Sequence, residues 1–359
     1  MARYRLLTDA QWQKIEPLVP RPKRSPKSGR GSVDNCRVLE CVLWGYAKLH
    51  RLTGDDRYAE RVDQPRAMLE QCRSQDCSGN GWGYNFNWQN RSFYIPKFTP
   101  TIVNSCFIGH ALLDAYTFTG RRKALDLAVP IKDFILNDLH RTQEGETFCF
   151  GYTPLDRTIV HNANLLGASL LARLFRHTGD EALKDAALRS MAYSMKYQRP
   201  DGGWYYADTP IQRWIDSFHT GFNLQAVRYL LQAGLGTEHE HGFRKGVDFY
   251  RRNFFLADGT PKYYHNKVYP LDIHCPVQAI VFFSECGLVG LELAEKVAAW
   301  MARNLYDRRG FFYFRRGRWL TNRIAYMRWS QAWGFHALTS LMLAQSLSAD
   351  ACQAGWGAI

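Results

Sequence analysis

Apolar positions recur along the chain in long helical stretches that arrive in pairs. The more apolar member of each pair reads VLECVLWGYAKLH (38–50), IVNSCFIGHALLDAYTF (102–118), HNANLLGASLLARLF (161–175), HTGFNLQAVRYLLQ (219–232), CPVQAIVFFSE (275–285) and QAWGFHALTSLMLAQSL (331–347). Helices apolar on most sides belong inside a protein, and their amphipathic partners belong outside. Gly54, Gly120, Gly179, Gly236 and Gly287 separate the members of five pairs, at steps of 66, 59, 57 and 51 residues. Each suits the left-handed residue that closes a helix just before another begins.

A second signal follows in most repeats, a glycine among aromatics: Gly81-Trp82, Gly145 to Phe148, Gly203-Trp204, Gly259 to Tyr263 and Gly310-Phe311. Such stretches favour short extended segments or turns. Polar helix starts come next, at Thr101, Asp156, Asp216, Asp272 and Ala325-Tyr326. Six helical hairpins closed into a ring make an all-α (α/α)6 toroid. An open solenoid of repeats of about 40–47 residues is the alternative. The unequal repeats and the apolar inner helices favour closure. Tight turns then occupy one end of the ring. Long loops and inner-helix N-termini meet at the other, where a concave pocket is expected.

Composition narrows this picture. With 46% hydrophobic and 14% aromatic residues, the chain can bury a large core. No apolar run reaches the roughly 18 residues of a membrane span, and the N-terminus lacks a signal-peptide pattern, so a cytoplasmic protein is expected. None of the nine cysteines forms a C-x-x-C pair, and no metal or other cofactor is expected. The net charge of +13 is concentrated in two places. Residues 1–37 hold nine Lys and Arg against three acids, and residues 303–328 hold eight Arg against Asp307 alone.

The N-terminus therefore divides from the rest: a basic leader over 1–35, and the toroid over 36–359. Thr8 or Asp9 can cap a short helix from Ala10 to Leu18, which ends near Pro20. Leu7-Thr8-Asp9, Gln11-Trp12, Ile15-Glu16-Pro17-Leu18, Gly29-Arg30, Asp34-Asn35 and Val38-Leu39 to Trp44 resemble the N-terminal segment of DDE-type insertion-sequence transposases. That resemblance implies DNA contact limited to residues 1–37, or the remnant of an insertion.

From Ala47 to Gln345 the chain resembles toroid proteins encoded with exopolysaccharide genes. The blocks that carry it are Trp82 to Gln89, Asp156 to Gly167, Trp214 to Asn223, Asp258 to Asn266, Tyr269 to His274 and Tyr326 to Trp333. More broadly the chain looks like six-hairpin glycosidases, toroidal polysaccharide lyases and uronyl C5-epimerases. Gln198-x-x-Asp201-Gly-Gly-Trp204 also resembles the QW motif of terpene cyclases, which would imply terpenoid or prenyl chemistry on a similar toroid.

Three inner-helix starts pair an acid with a histidine: Asp156 with His161, Asp216 with His219, and Asp272 with His274. Asp216, His219 and Asn223 fall at i, i+3 and i+7, on one helix face. Each aspartate is also a natural helix cap. Two chemistries suit the set. Glycoside hydrolysis needs two carboxylates about 5 to 9.5 Å apart. Lyase or epimerase chemistry needs a base for a carbon-bound proton and a positive group for the resulting enolate. The three histidines, Tyr152 or Tyr264 could be the base, and Arg157, Arg213, Arg323 or Arg328 the cation. Trp82, Tyr84, Trp88, Trp204, Trp214, Tyr326 and Trp329 are candidate sugar platforms, with Asn164 and Asn223 as polar contacts. The expected activity is on an anionic, uronate-containing glycan of exopolysaccharide production, by hydrolysis, elimination or epimerisation. A non-catalytic glycan-binding toroid is the competing reading.

Overall fold

A computed structural model describes residues 36–89 and 94–353, so the leader and its linker lie outside the described part. Six inner helices alternate with outer ones: α1 (Cys36–Thr53), α3 (Ile102–Thr119), α5 (His161–Thr178), α7 (Ser217–Gln232), α9 (His274–Ser284) and α11 (Trp333–Gln353) inside. Outside stand α2 (Asp56–Gln71), α4 (Arg122–Ala128), α6 (Glu181–Lys196), α8 (Glu240–Phe254) and α10 (Gly287–Asn304). Each inner helix packs on the next, and α11 packs back on α1. The ring is closed, as the apolar inner helices require. Along α3, every residue from Ile102 to Leu113 is buried.

The five turn glycines all have φ between +67° and +71°. At Gly120 and Gly179 the backbone N–H donates to Tyr116 O and Phe175 O at 2.8 Å, which ends the inner helix. At the other end, short antiparallel ladders stiffen the loops: β1 (Trp88–Gln89) with β2 (Tyr94–Ile95), β3 (Arg141–Glu144) with β4 (Thr147–Phe150), and β6 (Tyr306–Asp307) with β7 (Phe311–Phe312). A three-stranded sheet joins β5 (Leu271–Asp272), β8 (Arg315–Arg316) and β9 (Thr321–Asn322).

The seam between first and last inner helices is unusually close. A Cβ on Gly45 would fall 2.0 Å from Phe335 Cε1. One residue earlier, Trp44 stacks on His336 at 4.4 Å. One turn later, Lys48 Nζ donates to Ser340 Oγ at 2.6 Å. A polar belt continues around the ring: Arg173 of α5 pairs with Asp114 of α3, and Arg228 of α7 with Glu285 at the end of α9. Burial pulls the Lys48 ammonium below its usual pKa, and the Glu285 charge opposes that shift.

The QW-like motif is a clamp. Gln198 Nε2 donates to Gly202 O at 2.8 Å and to Gly242 O at 2.9 Å. Trp204 Nε1 donates to Ser194 O, deep in the wall. These bonds tie the α6 turn to the start of α8, and neither Gln198 nor Trp204 lines the cavity of about 530 Å³ among the loops.

Asparagine separates two kinds of glycine. Gly179→Asn should cost under about 1 kcal/mol, because asparagine tolerates the left-handed region. Gly45→Asn should cost about 1–3 kcal/mol by overpacking the seam. Urea midpoints measure both, and equal losses would contradict the close seam.

Candidate active site

A cavity of about 530 Å³ opens among the loops and inner-helix N-termini. Its chemistry comes from α7 and α9. Asp216 is the N-cap of α7, and its Oδ1 accepts the His219 backbone N–H at 2.9 Å. Its Oδ2 accepts from His219 Nδ1 at 2.6 Å and from Trp214 Nε1 at 2.9 Å. One aspartate both caps the helix and holds the imidazole, because a cap and the residue three positions on are already neighbours.

The second pair is built differently. Asp272 lies in β5, and its Oδ1 accepts from the His274 backbone N–H at 3.0 Å and from His274 Nδ1 at 2.7 Å. Its Oδ2 accepts from Arg315 through Nε at 2.8 Å and Nη2 at 2.7 Å. Burial pushes the Asp272 pKa up, but the bonds from His274 and the charge of Arg315 prevail and hold it below the usual carboxylate value. Asp216 and Asp272 are 2% and 1% exposed, behind their histidines.

His219 and His274 both line the cavity. With Nδ1 engaged, Nε2 is the ring nitrogen left for chemistry. His274 Nε2 is buried and has no protein partner. His219 lies between Tyr206 and Phe218, at 4.5 and 4.4 Å between ring centres. Trp329 meets His274 edge-on at 4.2 Å.

Aromatics form the rest. Phe107, Phe222 and Trp333 contact one another at 5.0 to 5.7 Å and floor the cavity. Tyr84, Trp88 and Tyr152 form one wall, and Tyr206 stacked on Trp214 at 4.8 Å forms another. A π-helical turn, Met327–Ala332, precedes α11 and carries Arg328 and Trp329 to the mouth. The Arg328 guanidinium lies 4.1 Å from the Trp329 ring centre and 5.2 Å from that of Tyr84. Among the described residues lining the cavity there is no Asp or Glu, and Arg328 is the one Lys or Arg.

Other predicted site residues lie elsewhere. Asp156 does not pair with His161. Its carboxylate accepts the backbone N–H groups of Tyr152, Thr153 and Thr158, and so shapes a loop instead. His161 is buried in the wall, with Nε2 3.2 Å from Asp208. Asn164 is spent on Phe150 N, Ser190 O and Ser194 Oγ. Trp82 is fully buried and donates to Leu69 O. Arg157 is exposed on its loop, Tyr264 bridges the backbone of Asp216, and Tyr326 packs on Phe314. Trp204 and Asn223 reach only a narrow crevice beneath His219.

Val103, Phe107, Phe218, Phe222 and Trp333 line the cavity but were not among the candidate site residues. Their signal was helical spacing: Phe107 lies four residues after Val103, Phe222 four after Phe218, and Trp333 four after Trp329. Asn162, next to the candidate His161 in the chain, also lines the cavity, and its buried Oδ1 finds no protein donor. Among the described residues, no group of three or more His, Cys, Asp or Glu is placed to hold a metal ion.

No protein family and no curated protein matches the sequence. Solved structures do match the fold. Cellobiose 2-epimerase from Bacillus thermoamylovorans superposes with a TM-score of 0.68 at 14% identity, covering 94% of this chain and 98% of that one. A GH76 α-mannanase from Bacteroides thetaiotaomicron gives 0.67 at 12% identity, over 88% and 87%. A D-mannose isomerase gives 0.63 at 11% identity, over 94% and 97%. The shared feature is the (α/α)6 toroid.

The Asp272 pair has a pH signature. A carboxylate with a depressed folded pKa contributes stability above its unfolded value, about 3.9, and loses it as pH falls through the lower folded value. Asp272→Asn should therefore be less stable than wild type at about pH 7, with the gap narrowing below about pH 4. Urea midpoints across that range test this, and a gap that stays constant would contradict it.

Proposed function

We propose that this chain is a carbohydrate-processing enzyme that moves a carbon-bound proton on a sugar, as an epimerase or isomerase. The observation that carries the reading is the pair of imidazoles, each anchored through Nδ1 to a buried carboxylate, facing one aromatic cavity. In this mechanism the neutral Nε2 of one histidine takes the proton from carbon next to a carbonyl, and the electron pair passes to the carbonyl oxygen. The other histidine, as imidazolium, returns a proton from its own Nε2 to carbon. Delivery to the opposite face of the same carbon inverts the centre. Delivery to the former carbonyl carbon isomerises the sugar, the proton of the adjacent hydroxyl passing to the former carbonyl oxygen as the new carbonyl forms. Each His–Asp pair sets the tautomer this requires.

Arg328 is the cation for the developing enolate, or for a sugar carboxylate where the substrate is a uronate. The aromatic walls suit sugar faces, and Asn162 supplies a polar contact for a hydroxyl. The toroid neighbours that are a cellobiose 2-epimerase and a D-mannose isomerase support the same direction. Hydrolysis is the weaker reading. Its two carboxylates would have to be Asp216 and Asp272, and both are committed to histidine, tryptophan or arginine behind the cavity wall. A role in exopolysaccharide production, on a uronate-containing glycan, is the reading favoured by the sequence blocks and by Arg328.

Solvent exchange tests the proposal. With mannose, cellobiose and oligouronates in deuterated water, deuterium should enter the sugar at carbon, next to the carbonyl or carboxylate, as read by NMR. His219→Ala and His274→Ala should each slow that exchange about 10²–10⁴-fold. Cleaved products without deuterium, or full exchange in both variants, would refute it.

A further inference from the structure

The arginine-rich hairpin beside the cavity carries a feature the reaction does not use. Strand β8 is fastened to the site through the pairs Leu271 with Arg316 and Asp272 with Arg315. It turns back into β9 through Gly317 to Leu320, where the Gly317 N–H donates to Leu320 O at 2.7 Å. At that tip Trp319 and Leu320 are each 84% exposed, the highest values for large apolar side chains among the described residues. Ile324 and Met327 continue the exposed apolar surface toward the cavity mouth. Around them Arg316, Arg318 and Arg323 are also exposed, and the Arg318 guanidinium lies 5.0 Å from the Trp319 ring centre. The one acid between residues 303 and 328, Asp307, is bound by Arg309 and Tyr313.

We propose that this hairpin docks on an anionic phospholipid bilayer, with Trp319 and Leu320 inserted at the headgroup level and the surrounding arginines on lipid phosphates. Tryptophan favours that interface, apolar tips gain by leaving water, and exposed arginines gain from negative lipids. The charge speaks against a symmetric second copy, which would set arginine against arginine. The composition of the tip speaks against a polysaccharide chain, since Leu320, Ile324 and Met327 offer no flat face to a sugar. The hairpin ends at Asn322, and the cavity-lining Arg328 follows six residues later, so docking turns the site toward substrate held near the membrane. The docking does not depend on which reaction the site performs.

Co-sedimentation of the full chain with sucrose-loaded vesicles tests this. Binding should be strong with about one-third phosphatidylglycerol in phosphatidylcholine, weak with phosphatidylcholine alone, and reduced by salt. The double variant W319S/L320S should bind the anionic vesicles about tenfold less well, with an unchanged circular-dichroism spectrum. Residues 1–37 are basic as well, but electrostatic binding through them would not respond to the tip. Trp319→Phe should keep most binding yet lose the fluorescence quenching caused by brominated lipid chains. Three results would overturn the proposal: equal vesicle binding by W319S/L320S, a tip-dependent self-association in ultracentrifugation without vesicle binding, or tip-dependent retention by an anionic polysaccharide gel without it.

Discussion

The closure of α11 onto α1 is the contact on which the rest of this structure depends. A ring of six inner helices exists only if the last reaches the first, and here the two meet where Gly45 presents no side chain to Phe335. Trp44 on His336 and Lys48 on Ser340 flank that point, one apolar and one polar. Buried charge is costly unless it is paired, and in the belt Arg173 meets Asp114 while Arg228 and Lys48 meet Glu285. Closure turns six separate helix starts into the floor and walls of one cavity.

What happens at that end follows from helix chemistry. The start of a helix leaves backbone N–H groups without partners, and a short acidic side chain satisfies them. In α7 the capping carboxylate uses Oδ1 for the backbone, and its Oδ2 is left to accept from the His219 ring three residues later. At α9 the acid comes from a strand instead, and Arg315 neutralises its far side. Each imidazole is therefore held through Nδ1 by a carboxylate, although the supports differ. The same strand that steadies Asp272 begins the exposed hairpin, so the site and the proposed docking tip share one small sheet.

Much of this was legible in the chain. The paired apolar stretches predicted six inner helices, and five glycines predicted their ends, because left-handed backbone is easy only for glycine. The Asp216–His219 pair could also be read, since positions three apart on a helix must be neighbours. Asp272 and His274 could be read as adjacent, but not their tie to Arg315, which is 43 residues away in sequence.

The differences between local spacing and final placement have a common cause. Asp156 and His161 looked equivalent to the other pairs, yet the chain between them is not helical and the histidine meets Asp208 instead. Trp82 and Asn164 bond to backbone away from the cavity, while Phe218, Phe222 and Trp333, which were not singled out, line it. Local sequence determined helix position, helix ends and contacts within a turn, because those depend on spacing along the chain. Only the tertiary structure decided which side chains face the axis of the ring. That depends on how each helix is rotated against its neighbours, and the rotation is set by contacts between residues far apart in the sequence.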